Sequence, residues 1–298
     1  MKKNANRLFR SLMFVPGHNV RLIQSASRTD ADVILLDLED SVQPDFNKQV
    51  ARDSIKNTIQ SGLLKSFAIF PRVNDRESGH LLKDVHQLSI DGIDGFMYPK
   101  AQTGKDIYFF DKLLETIEYE KGYEKGKFKI IPLIETTAAA LNAQDICQAS
   151  SRVVAIAFGC EDFISDLEGI HDEDGDSIFT ARAMIAMAAR ANKVIPIDTV
   201  HINVHDLDDL EENLKIAKKL GFEGMLVLHP KEIELAHQYF SPTKKEIDDA
   251  NEMLQLYEKA QKESKGVAVK DGKFIGPPMV ITAKKTLLKE RLIKEKRK

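Results

Sequence analysis

Cysteine is scarce: only Cys147 and Cys160 occur in 298 residues. Two thiols cannot build a disulfide framework for a chain of this size, so reduced cysteines and a cytoplasmic setting are expected. No apolar run approaches the roughly 18 residues that a membrane-spanning helix needs. The basic opening Met1-Lys2-Lys3-Asn4-Ala5-Asn6-Arg7 has no apolar stretch behind it, which predicts neither an export signal nor a membrane span. A large charge of one sign is also missing. The formal net charge of −3 gives no electrostatic case for nucleic acid as a partner.

Several familiar reaction signatures are absent too. The sequence has no glycine-rich phosphate loop and no serine in a nucleophile elbow. His201-Ile202-Asn203-Val204-His205 spaces two histidines four apart but lacks the glutamate of a zinc-protease helix. Asp172-Glu173-Asp174-Gly175-Asp176 looks like a calcium loop, yet Ile170 sits where the first ligand belongs.

What the chain does have is eight short apolar runs, at residues 12–15, 33–36, 67–70, 95–98, 130–134, 153–158, 194–197 and 225–228. They end, in order, in Pro16-Gly17, Asp37-Leu38-Glu39-Asp40, Arg72-Val73-Asn74, Pro99-Lys100, Glu135-Thr136, Gly159-Cys160-Glu161-Asp162, Asp198 and His229-Pro230. Continuous apolar character with little alternation fits strands covered on both faces. Helical spacing fills the intervals, as in residues 45–59, 178–191 and 206–220, the last opening on acids and stopping at Gly221. Eight buried strands alternating with helices, with polar residues just past the strand ends, predict an α/β chain folded as a (β/α)8 TIM barrel. After residue 240 the texture changes. A polar helix over 243–263, a hairpin turning at Asp271-Gly272 and a last helix running into a basic tail are expected there.

Glu135 and Asp162 follow the fifth and sixth runs, which are neighbours in a barrel. Two carboxylates at one mouth make half a shell for a hard divalent cation such as Mg2+, which takes one or two protein carboxylates and completes its octahedron with water or substrate. Either acid alone could instead cap the following helix, and Glu161 is a rival ligand. Arg72 suits a carboxylate or a developing enolate oxygen through its planar fork, or else a structural ion pair. Lys100 is a weaker candidate for the same mouth. Among Asp37, Glu39 and Asp40, one is expected to orient Arg72 or Arg52 and another to hold water on the metal.

Taken in order, seven segments carry a resemblance: Arg10-Ser11-Leu12-Met13-Phe14-Val15-Pro16-Gly17, Asp37-Leu38-Glu39-Asp40-Ser41-Val42, Pro71-Arg72-Val73-Asn74, Tyr98-Pro99-Lys100, Ile134-Glu135-Thr136, Phe158-Gly159-Cys160-Glu161-Asp162 and His229-Pro230. The chain resembles the citrate lyase β-subunit-like (CitE-like) family of the HpcH/HpaI aldolase group from about residue 7 to 240, and more loosely to about 290. That resemblance implies a barrel domain over 7–240 and a helix–hairpin–helix extension over 241–298, packed on the barrel or on a neighbouring subunit. It implies an Mg2+-dependent carbon–carbon lyase that cleaves a citryl-, malyl- or citramalyl-type acyl-CoA or acyl-carrier thioester into an acetyl thioester and an oxoacid. Glu135 and Asp162 match the metal ligands, Arg72 the substrate-binding arginine, and Phe14 and Arg21 the thioester contacts, in a homotrimer, with Lys100 kept as a substrate-binding candidate from its place at the mouth. One departure matters. Relatives acting as thioesterases or condensing enzymes carry an aspartate where this chain has Gly276. Two alternatives therefore stand: a citrate lyase β-like subunit that needs an acyl-carrier partner, and an acyl-CoA-binding protein without turnover.

Overall fold

The computed structural model describes residues 7–170, 175–262, 268–270 and 273–296. The acidic segment 172–174, the Asp271-Gly272 turn and the last two basic residues lie outside the described residues. Eight strands follow one another as β1 (Ser11–Pro16), β2 (Val33–Asp37), β3 (Ala68–Ile69), β4 (Gly95–Tyr98), β5 (Lys129–Ile134), β6 (Ala155–Phe158), β7 (Ile195–Asp198) and β8 (Gly224–Val227). Their order in the sheet is β3-β2-β1-β8-β7-β6-β5-β4, and every pairing is parallel.

The seam between β3 and β4 closes through Arg72, which bridges Asp37 on one side and Met97 on the other. The Met97 N–H donates to the Pro71 carbonyl at 2.9 Å, and the Val73 N–H donates to the Met97 carbonyl at 3.2 Å. With helices between the strands, this is the expected TIM barrel. The expected third strand, 67–70, is shorter than its apolar run. Phe67 turns its N–H back to Leu64, and Pro71 has no N–H to continue the ladder, so regular pairing resumes only at Arg72.

One buried cluster draws residues from all eight strand segments, including Leu12, Val33, Leu35, Phe70, Met97, Ile131, Leu133, Ala155, Ala157, Ile197 and Leu226. Within a strand these residues are two apart, so they form the inward-facing set, while the alternate residues meet the helices. Helices lie at Asn47–Gln60, Asp176–Ala191 and Leu207–Leu220. The last begins where the Asp206 side chain accepts from the Asp209 N–H and ends at Gly221, whose φ is 93°. Both are the stop and start chemistry that its sequence carries.

Strand β8 passes close to the segment before β1. A Cβ built on Gly224 would lie 1.7 Å from the Phe9 carbonyl oxygen, a distance that neither backbone can accommodate in place. Gly224→Ala is therefore expected to destabilise the fold by about 3 kcal/mol or more, measured as a lower urea midpoint at unchanged slope.

The chain divides into two compact units, Phe9–His237 and Met1–Leu8 with Gln238–Lys298. In the second, helix Lys244–Lys262 packs on helix Pro277–Lys296 through Met253, Leu254, Leu256, Tyr257, Ala260 and Val280. Strands β9 (Ala268–Lys270) and β10 (Lys273–Ile275) pair antiparallel, with Phe274 opposite Val269. Pro277 opens the last helix, where its missing N–H costs nothing. No helix among the described residues is long and apolar enough to cross a membrane.

Candidate active site

Strand parity decides which polar residues face the mouth. Glu135 continues the inward series of Ile131 and Leu133, Arg72 continues that of Phe70, and Asp37 and Glu39 continue that of Val33 and Leu35. All four are buried, and they form one charged group with Lys100.

Arg72 is the hub. Its Nε and Nη2 donate to the two oxygens of Asp37 at 2.7 and 2.8 Å. Its Nη1 donates to Asp40 at 3.0 Å and lies 3.0 Å from Glu39 Oε2. The Phe14 ring stacks beneath the guanidinium, 4.8 Å from ring centre to Cζ. Burial alone would raise the Asp37 carboxyl. The Arg72 charge and hydrogen bonds from Arg72, Ser41 and the Glu39 N–H outweigh it and bring the carboxyl down to about 2.

Because the folded value lies below the ordinary 3.8, this interaction stabilises the fold above pH 4. It is lost as pH falls through about 2. The stability gap between the parent protein and Asp37→Asn should therefore narrow between pH 5 and pH 2 in urea titrations. A gap independent of pH would contradict it.

Glu39 sits in the middle of the group. Its Oε1 lies 2.8 Å from Lys100 Nζ and its Oε2 3.0 Å from Arg72 Nη1, two ion pairs that hold it between the cations. Burial lifts its carboxyl well above the usual range, against the pull of Arg72 and Lys100. The loop that carries it is held by Lys48, whose Nζ donates to the Leu38 and Glu39 carbonyls at 2.8 and 2.7 Å.

Lys100 serves Glu135 through its backbone. It adopts a left-handed conformation, φ 54°, uncommon for a residue with a side chain. Its N–H donates to Glu135 Oε1 at 2.6 Å. On the other side, Gly159 gives Glu135 room: a Cβ there would lie 3.1 Å from the Glu135 Cβ and 3.4 Å from its Oε2. Burial first, then the charge of Glu39 with a further push from Asp162, raises the Glu135 carboxyl to about 8, while Arg72 and the Lys100 N–H act against that rise.

Asp162 lies in the first turn of helix Cys160–Leu167 rather than at the strand end, because the helix starts directly after Gly159. It is exposed, and its charge reaches Glu135. Its neighbour Glu161 accepts from the Cys160 thiol at 3.3 Å. Arg21 is exposed on helix Val20–Ala26. Gly276 belongs to the second unit, where its carbonyl accepts from the Met279 and Val280 N–H groups. His229 is used locally, its Nδ1 accepting from the Lys231 N–H at 3.2 Å. A cavity of about 420 Å³ beside β7, lined by Cys160, Glu161, Arg182, Asp198, His201 and Asn213 among others, contains none of Arg72, Glu39 or Glu135.

The donor set fits a hard cation. Among the described residues no group of three or more His, Cys, Asp or Glu side chains is arranged to hold a metal. Glu135, buried, and Asp162, exposed and without a hydrogen bond or ion pair among the described residues, offer two carboxylates of the kind that Mg2+ takes while keeping open positions. Two contributors here are hard to read from the residue pattern. The Lys100 amide depends on a positive φ that lysine does not advertise, and the need for Gly159 shows only once Glu135 is placed, although a glycine at a strand end is a visible hint.

A model of the HpcH/HpaI aldolase/citrate lyase family matches residues 10–230. The citrate lyase subunit beta of Haemophilus influenzae is 32% identical over 281 residues, covering 94% of this chain and 96% of that protein. A (3S)-malyl-CoA thioesterase of Cereibacter sphaeroides is 29% identical over 285 residues, covering 96% of this chain and 95% of that protein. A solved citrate lyase beta subunit from M. tuberculosis, complexed with oxaloacetate and magnesium, superposes with a TM-score of 0.67 at 25% identity, covering 80% of this chain and 100% of the other. Together with the barrel and the charged group at its mouth, these matches show that the chain belongs to the HpcH/HpaI aldolase/citrate lyase family.

Proposed function

We propose that this protein is a Mg2+-dependent carbon–carbon lyase that cleaves a 3-hydroxy-acyl thioester of citryl, malyl or citramalyl type into an acetyl thioester and an oxoacid. The observation that carries the reading is a buried Glu135 whose carboxyl feels both Arg72 and the charge of Asp162, an exposed acid with no hydrogen bond or ion pair among the described residues. Glu135 and Asp162 would hold the Mg2+, which when bound would supply Lewis acidity at the oxygen of the carbon that becomes the oxoacid carbonyl.

The remaining steps fall to the chain's own residues. Arg72 offers a carboxylate site: Asp40, which shares Nη1, has a side chain 59% exposed, so a substrate carboxylate can take its place without breaking the Asp37 fork. Asp37 keeps the guanidinium in plane while that exchange occurs. Fixed positive charge at Arg72 and Lys100 then meets oxygens that gain negative charge as the bond breaks, an effect typically worth about 3 kcal/mol per donor. Glu39, buried between Lys100 and Arg72 with its carboxyl raised by burial, is placed to take the hydroxyl proton on a carboxylate oxygen. Loss of that proton lets the carbinol carbon become the carbonyl of the oxoacid, a ketone from a citryl or citramalyl group and an aldehyde from a malyl group. The electrons of the broken carbon–carbon bond pass to the thioester enolate, which takes a proton from water to give the acetyl thioester, and Glu39 returns its proton to the hydroxide so formed.

Mass spectrometry of the products from citryl-, malyl- and citramalyl-CoA, with Mg2+ and with chelator, tests the reading. Acetyl-CoA and the matching oxoacid should form only with Mg2+. Product formation that chelation leaves unchanged, or no product from any substrate, would contradict it. The similarity to citrate lyase beta subunits favours a second form of the same chemistry, in which the acyl group is presented on a carrier protein. Turnover of a carrier-bound citryl group with none of the CoA substrates would select it. The reading also carries the homotrimer, which light scattering would measure at three times the 33.5 kDa chain mass.

A further inference from the structure

Strands β5 and β6 pair with Ile134 opposite Phe158, so the segments carrying Glu135 and Asp162 leave the barrel side by side. The sheet's last link between them is the Gly159 N–H to the Ile134 carbonyl, 2.8 Å. Farther out, a side chain joins the same two segments. Asp166 Oδ2 accepts from the Thr137 N–H at 2.7 Å and from the Thr137 hydroxyl at 2.6 Å. Thr137 is two residues past Glu135. Asp166 is one helical turn past Asp162 on helix Cys160–Leu167, so the two aspartates share a helix face.

We infer that Asp166 is a positioning residue: its carboxylate cross-ties the two segments and sets the separation of Glu135 and Asp162, and so the affinity of the pair for a divalent cation. The inference rests on the cation-site reading above. Glu135 has the Lys100 amide and the packing of Gly159 to fix it. Asp162 is exposed and has no hydrogen bond or ion pair of its own among the described residues. Its place is set by its helix alone, a helix of eight residues whose start is held by the Cys160 N–H on Thr199 Oγ1 at 3.1 Å. Two hydrogen bonds to one ionised oxygen, one from a backbone N–H, make a directional and charge-assisted tie. Groups that orient metal ligands in this way change metal affinity by about 10–100-fold when removed.

Binding of Mn2+ followed by electron paramagnetic resonance, on full-length parent, Asp166→Ala, Asp166→Asn and Glu135→Ala proteins, tests it without recourse to activity. Asp166→Ala should bind Mn2+ about tenfold more weakly or worse, while its metal-free melting temperature stays near the parental value. Asp166→Asn, which keeps a carbonyl acceptor for both donors, should recover most of the affinity. A tie with a purely structural role would lower melting and leave the Mn2+ affinity alone. Parental affinity in Asp166→Ala, with the parent binding Mn2+ and Glu135→Ala not binding, overturns the cross-tie and spares the cation site. Failure of the parent to bind Mn2+ overturns both.

Discussion

Glu135→Ala is expected to lose metal-dependent cleavage, with turnover falling on the order of a thousandfold or more, as for groups whose effect is made at the charge-developing step. The sharper variant is Glu135→Gln. It keeps an acceptor for the Lys100 N–H, preserves shape and removes the charge. The parent buries this carboxyl at 2% exposure, with Glu39 and Asp162 pushing its titration upward and only Arg72 and one amide opposing them. A neutral side chain suits such a place better than a carboxylate does when no cation is bound. Metal-free Glu135→Gln should thus melt no lower than the metal-free parent while losing cleavage. A residue kept at a cost to stability and required for activity is what a metal-binding role predicts. Near-parental turnover, or collapse of the fold in Glu135→Gln, would contradict that role.

Arg72→Met is expected to have the second largest effect, and on two measurements at once. Turnover should fall by about 10²–10³ through loss of the fixed positive charge at the mouth. Stability should fall by about 3–5 kcal/mol, because Asp37 would stay buried without its counter-charge. Urea denaturation separates the second effect from the first. Arg72→Lys should rescue neither fully, since a point charge cannot reproduce the two-point contact with Asp37 at 2.7 and 2.8 Å. A Met variant as stable as the parent would remove Arg72 from the centre of the charged group.

The barrel was legible because its strands are covered on both faces, leaving eight apolar runs too short for helices, and all eight became strands. Their ends were less legible. Pro71 shortened β3, and the seam passed to the backbone of Arg72, which pattern alone marks only as a cation. The grouping of Asp37, Arg72, Glu39 and Glu135 followed from strand parity, which a sequence carries once the strand bounds are known. Their division of labour did not. In Asp37-Leu38-Glu39-Asp40, three acids within four positions look alike. Only the fold gives Asp37 the guanidinium fork, leaves Asp40 exposed on Nη1 and sets Glu39 between Arg72 and Lys100. The left-handed turn at Lys100 and the Thr137–Asp166 contact depend on backbone angles and on helix phase, which residue types constrain too weakly to read.

The central claim is that Glu135 and Asp162 share one divalent cation, and anomalous diffraction from a crystal soaked in Mn2+ tests it most directly. The account predicts a single strong peak at the barrel mouth, within about 2.2 Å of a carboxylate oxygen from each residue. A peak coordinated by Glu161 instead of Asp162, or no peak between the two acids, would contradict it.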